Sequence, residues 1–461
     1  MAGGAVTTGV KAAGPALTKR QEYFAFALIT SLFFLWGISY GMIDVLNAKV
    51  QQSFGISKLQ STMLQVAYFG AYFVCSVPAS LFASRFGYKA GVIMGLSLYT
   101  AGALAFWPSA HFEKYFGFVI SAFIIASGLA TLETMANSYI TVLGSPDRAA
   151  FRLNFAQSFN GLAAFLGPLI ASKTFLTEKE KDSLSSVQYV YLAVACLGIA
   201  VAILFIFAKL PEISEESLEE QQDMAGIADE RPLWQRKHTV LGFLAQFAYV
   251  GSQVTVASFV VNFYKSAPHN MTASMGAEML TYAQVAFMVS RFAATPLLRF
   301  FNASLLLAAF GGLCTLGSLL AALAPNAQGG MAGIFLIFIG ESLVYPSIFS
   351  LATSNLGKHT KRGAGLLCMG VSGGAVFPPM QGALADARST TISYVIPAAG
   401  FSFVIAYGIG MFFYTRRMAA LVAQNAALSG PANAIEYEEK EGGDSAVEKI
   451  EDKQFEASVR V

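Results

Sequence analysis

Charged residues are scarce in this chain: Asp, Glu, Lys and Arg make up only 13% of its 461 residues. Hydrophobic residues make up 55%, and the mean hydropathy is +0.55. Soluble domains carry about 25% charged residues, so this composition excludes a soluble globular protein. It indicates an integral membrane protein surrounded by a lipid bilayer.

Cysteine and histidine are also scarce, with four residues of each. The cysteines stand in separate apolar stretches without metal-ligand spacing, so the sequence predicts no metal site. The histidines fall in loops or at predicted helix ends, so no imidazole is placed to carry protons through the membrane. Any proton coupling must therefore use carboxylates.

Several functional signatures are missing from the sequence. It has no nucleophile–base constellation, no phosphate-binding loop and no basic patch interleaved with aromatic residues. We therefore expect no enzyme activity, no cofactor and no nucleic-acid partner.

Long apolar runs predict twelve membrane-spanning helices, and the fold class is an all-α membrane protein. The predicted spans lie at about 22–48, 59–83, 89–108, 116–142, 150–174, 187–209, 237–264, 276–299, 302–324, 331–354, 363–385 and 391–415. They form two six-helix halves, residues 22–209 and 237–416.

Three polar segments flank and join these halves: a tail at 1–21, a central loop at 210–236 and an acidic tail at 417–461. Eight of the 28 acidic residues lie between Glu212 and Glu230, and nine lie between Glu436 and Glu456. Such acid-rich segments are predicted to be disordered and solvated. Eighteen basic residues near helix ends lie on the side of the amino terminus and eight on the other, which predicts cytoplasmic termini in a plasma or bacterial inner membrane.

The two halves look like diverged copies of one another. Aligning them places Gly37 opposite Gly251 and Arg85 opposite Arg299. Parallel six-helix repeats joined by a long loop are typical of major facilitator transporters, which hold their ligand between the halves at mid-membrane. We expect such a chain to function as a monomer.

Three carboxylates, Asp44, Glu133 and Glu341, lie inside apolar runs. An ionised acid at the centre of a membrane helix costs roughly 2.5 to 3.5 kcal/mol, so it usually lines a cavity and is functional. Glu133 is predicted to exchange a proton as its surroundings alternate between closed and water-filled. The alternatives are buried acids satisfied by hydrogen bonds and, for Glu341, either a third cavity acid or an acid bonded to a neighbouring helix.

Five stretches carry a resemblance to a known family: residues 31–36, 128–137, 141–144, 151–160 and 345–351. They resemble the fucose:proton symporter family, and the resemblance extends from about Phe26 to Phe412. It implies that Asp44 and Glu133 bind sugar and couple protons, and that Gln157 and Asn160 line the sugar cavity. In that family asparagines precede the aspartate of the first helix, whereas this chain has Ser39 to Ile43 there, which leaves the sugar open.

Other residues are candidates from their own chemistry. Gln157 and Asn160 lie on one helix face, where they either bind sugar or bond between helices. In the second half the amides are Gln253, Asn262 and Gln284. Trp36 and Tyr345 either stack on a sugar or pack in the core. Arg85, Gly87 and Lys89 form a degenerate superfamily motif, which predicts a charge latch between helices.

The expected function is proton-coupled import of a neutral monosaccharide, with an L-fucose-like deoxysugar favoured over rhamnose, galactose and glucose. A neutral substrate fits the expected absence of a basic residue near mid-membrane. Facilitated or sodium-coupled hexose transport, and a membrane sugar sensor, are the alternatives.

Overall fold

Helices are the only regular secondary structure among the residues that the structure, a computed structural model, describes: 18–54, 63–175, 185–225, 227, 229–266, 271–324 and 326–428. The first half contains α1 (Lys19–Phe54), α2 (Met63–His111), α3 (Tyr115–Val142), α4 (Ala149–Phe175) and α5 (Ser185–Phe207). The central segment contains α6 (Glu215–Met224). The second half contains α7 (Lys237–Lys265), α8 (Ala273–Ala294), α9 (Ala303–Leu323), α10 (Ala327–Glu341), α11 (Val344–Ala352), α12 (Thr360–Met369), α13 (Phe377–Ala387) and α14 (Val395–Leu428).

The helix α2 accounts for two membrane spans. It has 49 residues, and at 1.5 Å per residue it is more than twice as long as the roughly 30 Å hydrocarbon core. The chain reverses at Gly87, whose φ of 87° lies in the left-handed region that favours glycine. Nine stretches of the described residues, α2 among them, are long and apolar enough to cross a bilayer.

Counting α2 twice and adding the more polar α4 and α8, with 27 and 22 residues, gives twelve spans. The pairs α10–α11 and α12–α13 each count as one interrupted span. The predicted twelve-helix, two-half fold is confirmed.

The helix boundaries differ from the prediction at the ends. α1 begins at Lys19, and α14 continues past residue 416 to Leu428. The predicted tails at 1–21 and 417–461 lie mostly outside the described residues, which begin at residue 18 and end at residue 428.

The central segment is helical in part, so the prediction that it is disordered is wrong for α6. Ser214 caps this helix by accepting a hydrogen bond from the Ser217 main-chain nitrogen at 3.2 Å. Ile213 and Leu218 are buried. The acidic composition of the segment gave no indication that these two apolar side chains are buried and pack the segment against the bundle.

Small residues bring α2 and α3 together. A Cβ atom at Gly128 would overlap the main-chain nitrogen of Tyr99, and one at Gly102 would overlap that of Ile125. Membrane helices pack closely where such residues face each other. The close contact of α3 with α2 packs the Glu133 region of α3 against the first half.

The first of the two interrupted spans, α10–α11, contains the break that shapes the site. α10 ends at Glu341, and α11 begins at Val344. Pro346 has no N–H group to donate to the Ser342 carbonyl four residues earlier, so that carbonyl needs another donor. Arg291 of α8 supplies it, because its Nε donates to Ser342 O at 3.1 Å.

Candidate functional site

A cavity of about 140 Å³ lies between the two halves. Six of the predicted site residues line it: Trp36, Glu133, Gln157, Asn160, Gln253 and Tyr345. The structure therefore brings together side chains from α1, α3, α4, α7 and α11.

Glu133 forms part of the first-half wall. It is 5% exposed, and its Oε2 atom has no hydrogen-bond partner among the described residues. Asn137 lies one helical turn further along α3 and accepts a hydrogen bond from Gln157 Nε2 at 2.8 Å. Asn137 was missed as a site residue, although its position four residues after Glu133 could have indicated it.

The other first-half candidates bond between helices while they line the cavity. Asn160 Nδ2 donates to Phe33 O of α1 at 3.3 Å, and Trp36 Nε1 donates to the Tyr72 hydroxyl of α2. The two interpretations of the amides are therefore compatible: one side chain both joins helices and faces the cavity.

Asp44 belongs to α1, but its side chain lies outside the described part of the structure. Its role in sugar binding and proton coupling stays a prediction.

The second half contributes a carboxylate of its own, Glu341. This residue is 2% exposed, lines the cavity and accepts a hydrogen bond from Gln253 Nε2 at 3.4 Å. It is thus both a cavity acid and an acid bonded to a neighbouring helix. Gln284 also lines the cavity, whereas Asn262 is not among its lining residues.

Arg291 overturns the expectation that no basic residue lies near mid-membrane. It is 3% exposed and lines the same cavity as Glu133 and Glu341. Its guanidinium group bridges the halves, because Nη1 donates to Gln157 O at 3.3 Å while Nε donates to Ser342 O. The position of Arg291 in the sequence left two interpretations open, snorkelling towards the membrane surface or capping the carbonyls of a neighbouring helix, and the structure shows the second.

The predicted latch residues contact the first half. Lys89 Nζ donates to the carbonyls of Ile206 and Ala208, both at 2.9 Å, and so binds the end of α5. Arg85 lies over the Phe86 ring at 5.4 Å. With the reversal at Gly87, these contacts join α2 to α5, and their effect on conformation stays a prediction.

The contact between halves at this end involves other residues. We call the end of the bundle that carries the central segment the connection side. There Lys361 of α12 donates to Ala83 O of α2 at 3.3 Å and pairs with Glu212 of the central segment at 3.5 Å. Deeper between the halves, Asn154 Nδ2 donates to Ser347 Oγ at 3.4 Å. The halves are therefore in contact between the cavity and the connection side.

Comparisons with known proteins agree with this architecture. Residues 29–378 match the Major Facilitator Superfamily. The chain is 33% identical over 401 residues to a glucose/galactose transporter of Brucella abortus, covering 85% of this chain and 95% of that protein. It is also 33% identical over 408 residues to the L-fucose-proton symporter of Escherichia coli K12, covering 84% and 93%.

A solved structure gives the same result. The crystal structure of a Major Facilitator Superfamily transporter, FucP, in the outward conformation superposes with a TM-score of 0.74 at 31% identity, covering 85% of this chain and 99% of that chain. The resemblance drawn from the five sequence stretches is confirmed, and these relatives are transporters and not enzymes. The chain belongs to the Major Facilitator Superfamily, among the relatives of the bacterial fucose:proton symporters and glucose/galactose transporters.

Proposed function

We propose that this protein is a proton-coupled symporter that imports a neutral monosaccharide by alternating access. The observation that carries the proposal is the position of Glu133, a buried carboxyl group facing a cavity between two six-helix halves. Its Oε2 atom has no partner within the described residues, so a proton or a ligand hydroxyl can occupy that position. Asp44 is proposed to share this role.

Proton coupling is supported by the cost of a buried charge in this site. A carboxylate deep in a membrane protein is expensive when dry and inexpensive when water reaches it. Release of the proton from Glu133 is therefore linked to which side of the cavity is open. One inward proton gains about 2.3 kcal/mol per 100 mV, enough for about 50-fold accumulation of a neutral solute.

Sugar binding is supported by the mixture of amides and aromatic rings around the acid. Gln157 and Asn160 offer hydrogen-bonding groups, and Trp36 and Tyr345 offer flat apolar faces at the same cavity. A volume of about 140 Å³ is below the roughly 300 Å³ at which pockets for drug-sized ligands begin, which favours a small solute.

The charged residues of the cavity favour a neutral substrate, although the expected reason, the absence of a basic residue, does not hold. Arg291 is present, but two main-chain carbonyls occupy its Nε and Nη1 atoms and Phe287 lies 4.9 Å from its guanidinium carbon. Glu133 and Glu341 together outnumber it. An anionic substrate would therefore meet acids and a guanidinium group already engaged.

The class of sugar is a neutral hexose or deoxyhexose. The sequence stretches shared with fucose:proton symporters favour an L-fucose-like 6-deoxysugar. The equal identity to a glucose/galactose transporter places D-galactose and D-glucose in the same competition panel.

The test is sugar uptake into proteoliposomes under an imposed pH gradient. We expect the wild type to concentrate sugar, a protonophore to abolish the accumulation, and Glu133→Gln to lose accumulation while keeping counterflow of labelled sugar. Glu278→Gln removes an exposed acid of α8 and is the matched control that keeps accumulation.

Three outcomes would contradict the proposal. If Glu133→Gln accumulates sugar at the wild-type level, Glu133 is not the proton-coupling residue. Accumulation that depends on a sodium gradient and not on pH would show that sodium, and not the proton, is the coupling ion. Sugar binding without counterflow would make the protein a sensor.

A further inference from the structure

The main chain of Glu341 is fixed by a hydrogen bond, but the carboxyl group of its side chain accepts fewer hydrogen bonds than it can. Tyr249 donates its hydroxyl to the Glu341 main-chain carbonyl at 3.0 Å, which fixes the end of α10 against α7. The side chain is 2% exposed. Oε2 accepts one long hydrogen bond from Gln253, and Oε1 has no partner among the described residues.

Arg291 does not satisfy Glu341 in this arrangement. Its Nε and Nη1 atoms donate to the carbonyls of Ser342 and Gln157, and the described residues show no ion pair to Glu341. A buried acceptor without a donor destabilises a protein, and an apolar side chain would remove that cost. A donor that arrives with a ligand offsets it instead.

The position of Glu341 opposite Glu133 makes such a ligand contact possible. Both side chains line one small cavity, Glu133 from the first half and Glu341 from the second. Gln253, which also lines it, bonds Oε2 of the same carboxyl group whose Oε1 has no partner among the described residues. An acceptor beside an amide suits two neighbouring hydroxyl groups, one donating to Glu341 and the other bonding to Gln253.

We propose that Glu341 of the second half, together with Gln253, is a specificity-determining residue. Its carboxyl group accepts a hydrogen bond from a hydroxyl group of the sugar. This deepens the proposed function and rests on it. The coupled proton stays with the first-half acids, and Glu341 selects sugars that carry a hydroxyl group facing α10. A site built to bond a hydroxyl rejects an analogue that lacks it, because the protein group is then left unpaired.

The test compares Glu341→Gln and Glu341→Met with the wild type across a panel of monodeoxy sugars and epimers of the accepted sugar. We expect the wild type to bind one deoxy analogue roughly 10- to 100-fold more weakly than the parent sugar. In Glu341→Met that preference should collapse, because KM rises for the parent but not for that analogue. Glu278→Gln is the matched control, with the wild-type preference.

Coupling is measured in the same vesicles. We expect both Glu341 variants to keep accumulation driven by the pH gradient once the sugar concentration exceeds their raised KM. Loss of pH-driven accumulation with counterflow retained would overturn the proposal, because Glu341 would then carry the proton. An equal rise of KM for every sugar, or no change for any, would also overturn it.

Failure of this proposal can be distinguished from failure of the proposed function. If the wild type does not concentrate sugar at all, symport is refuted, whereas the pattern of sugar preference in counterflow or binding still tests Glu341. Glu341→Gln keeps the volume and shape of the side chain, and a thermal-unfolding midpoint close to the wild type excludes misfolding as the cause.

Discussion

Glu212 links the central segment to both halves, and its removal should open the connection side. Its carboxylate accepts the Tyr88 main-chain N–H at 2.9 and 3.1 Å and lies 3.5 Å from Lys361 Nζ. Lys361 is 3% exposed, donates to Ala83 O and lies 4.5 Å from the centre of the Tyr88 ring. Separating the halves at this end must pull Lys361 away from Ala83 and Glu212.

The size of the effect follows from these contacts. A hydrogen bond to a charged group contributes about 1.5–3 kcal/mol when it is buried, whereas an exposed ion pair contributes about 0–1 kcal/mol. The Glu212 side chain is 42% exposed, so solvent screens part of the interaction. We expect Glu212→Gln to weaken the closed state by about 1–2 kcal/mol, a 5- to 30-fold change in the ratio of closed to open molecules.

The assay is a distance measurement between spin labels on the two halves. Arg148→Cys and Arg362→Cys place labels at exposed positions of the connection side, in a background with the four native cysteines replaced by serine. The long-distance population should rise with Glu212→Gln and stay unchanged with Glu220→Gln, an exposed acid of α6. Because Lys361 and Glu212 are in contact, Glu212→Gln should have less effect when Lys361→Met is already present. Identical distance distributions for Glu212→Gln and the wild type would refute the reasoning.

Two further predictions concern packing and the bridge at the cavity. Gly128→Ala should lower the free energy of unfolding by about 1–3 kcal/mol, because its methyl group would overlap the backbone of α2. Gly70→Ala should not lower it, because a Cβ atom there meets nothing within 4 Å. Equal thermal-unfolding midpoints for the two variants would contradict this prediction. Arg291→Met should destabilise the protein by about 1–3 kcal/mol for each carbonyl that it leaves unpaired. Pro346→Ala should partly rescue it by restoring an N–H for Ser342, and a double variant as unstable as Arg291→Met alone would show that the freed carbonyl is not the cause.

The sequence was sufficient for the spans and for most of the polar residues that line the cavity. Apolar runs determine how many helices cross the membrane, because a bilayer fixes their length. Polar side chains inside such runs, such as Glu133 and Gln157, have few favourable positions other than the space between the halves. The structure accordingly places them at one cavity, while their roles in binding and coupling stay predictions.

What the sequence could not provide was the rotation of each helix about its own axis. A helix that is apolar on all sides has no polar stripe to show which face is buried, so packing between helices decides it. Arg291 could be placed near one end of α8 but not turned towards the cavity. The same uncertainty hid the contact between Gln253 and Glu341, which lie 88 residues apart in the sequence.

The break after α10 shows how one local rule shapes the whole second-half wall. Pro346 frees the Ser342 carbonyl, Arg291 binds it, and the guanidinium group then reaches Gln157 of the first half. Because Arg291 is occupied in this way, Glu341 keeps a free carboxyl oxygen one residue before the freed carbonyl. Arg291 therefore joins the halves through main-chain carbonyls, and the proposed roles of Glu133 and Glu341 in proton and sugar binding depend on this arrangement.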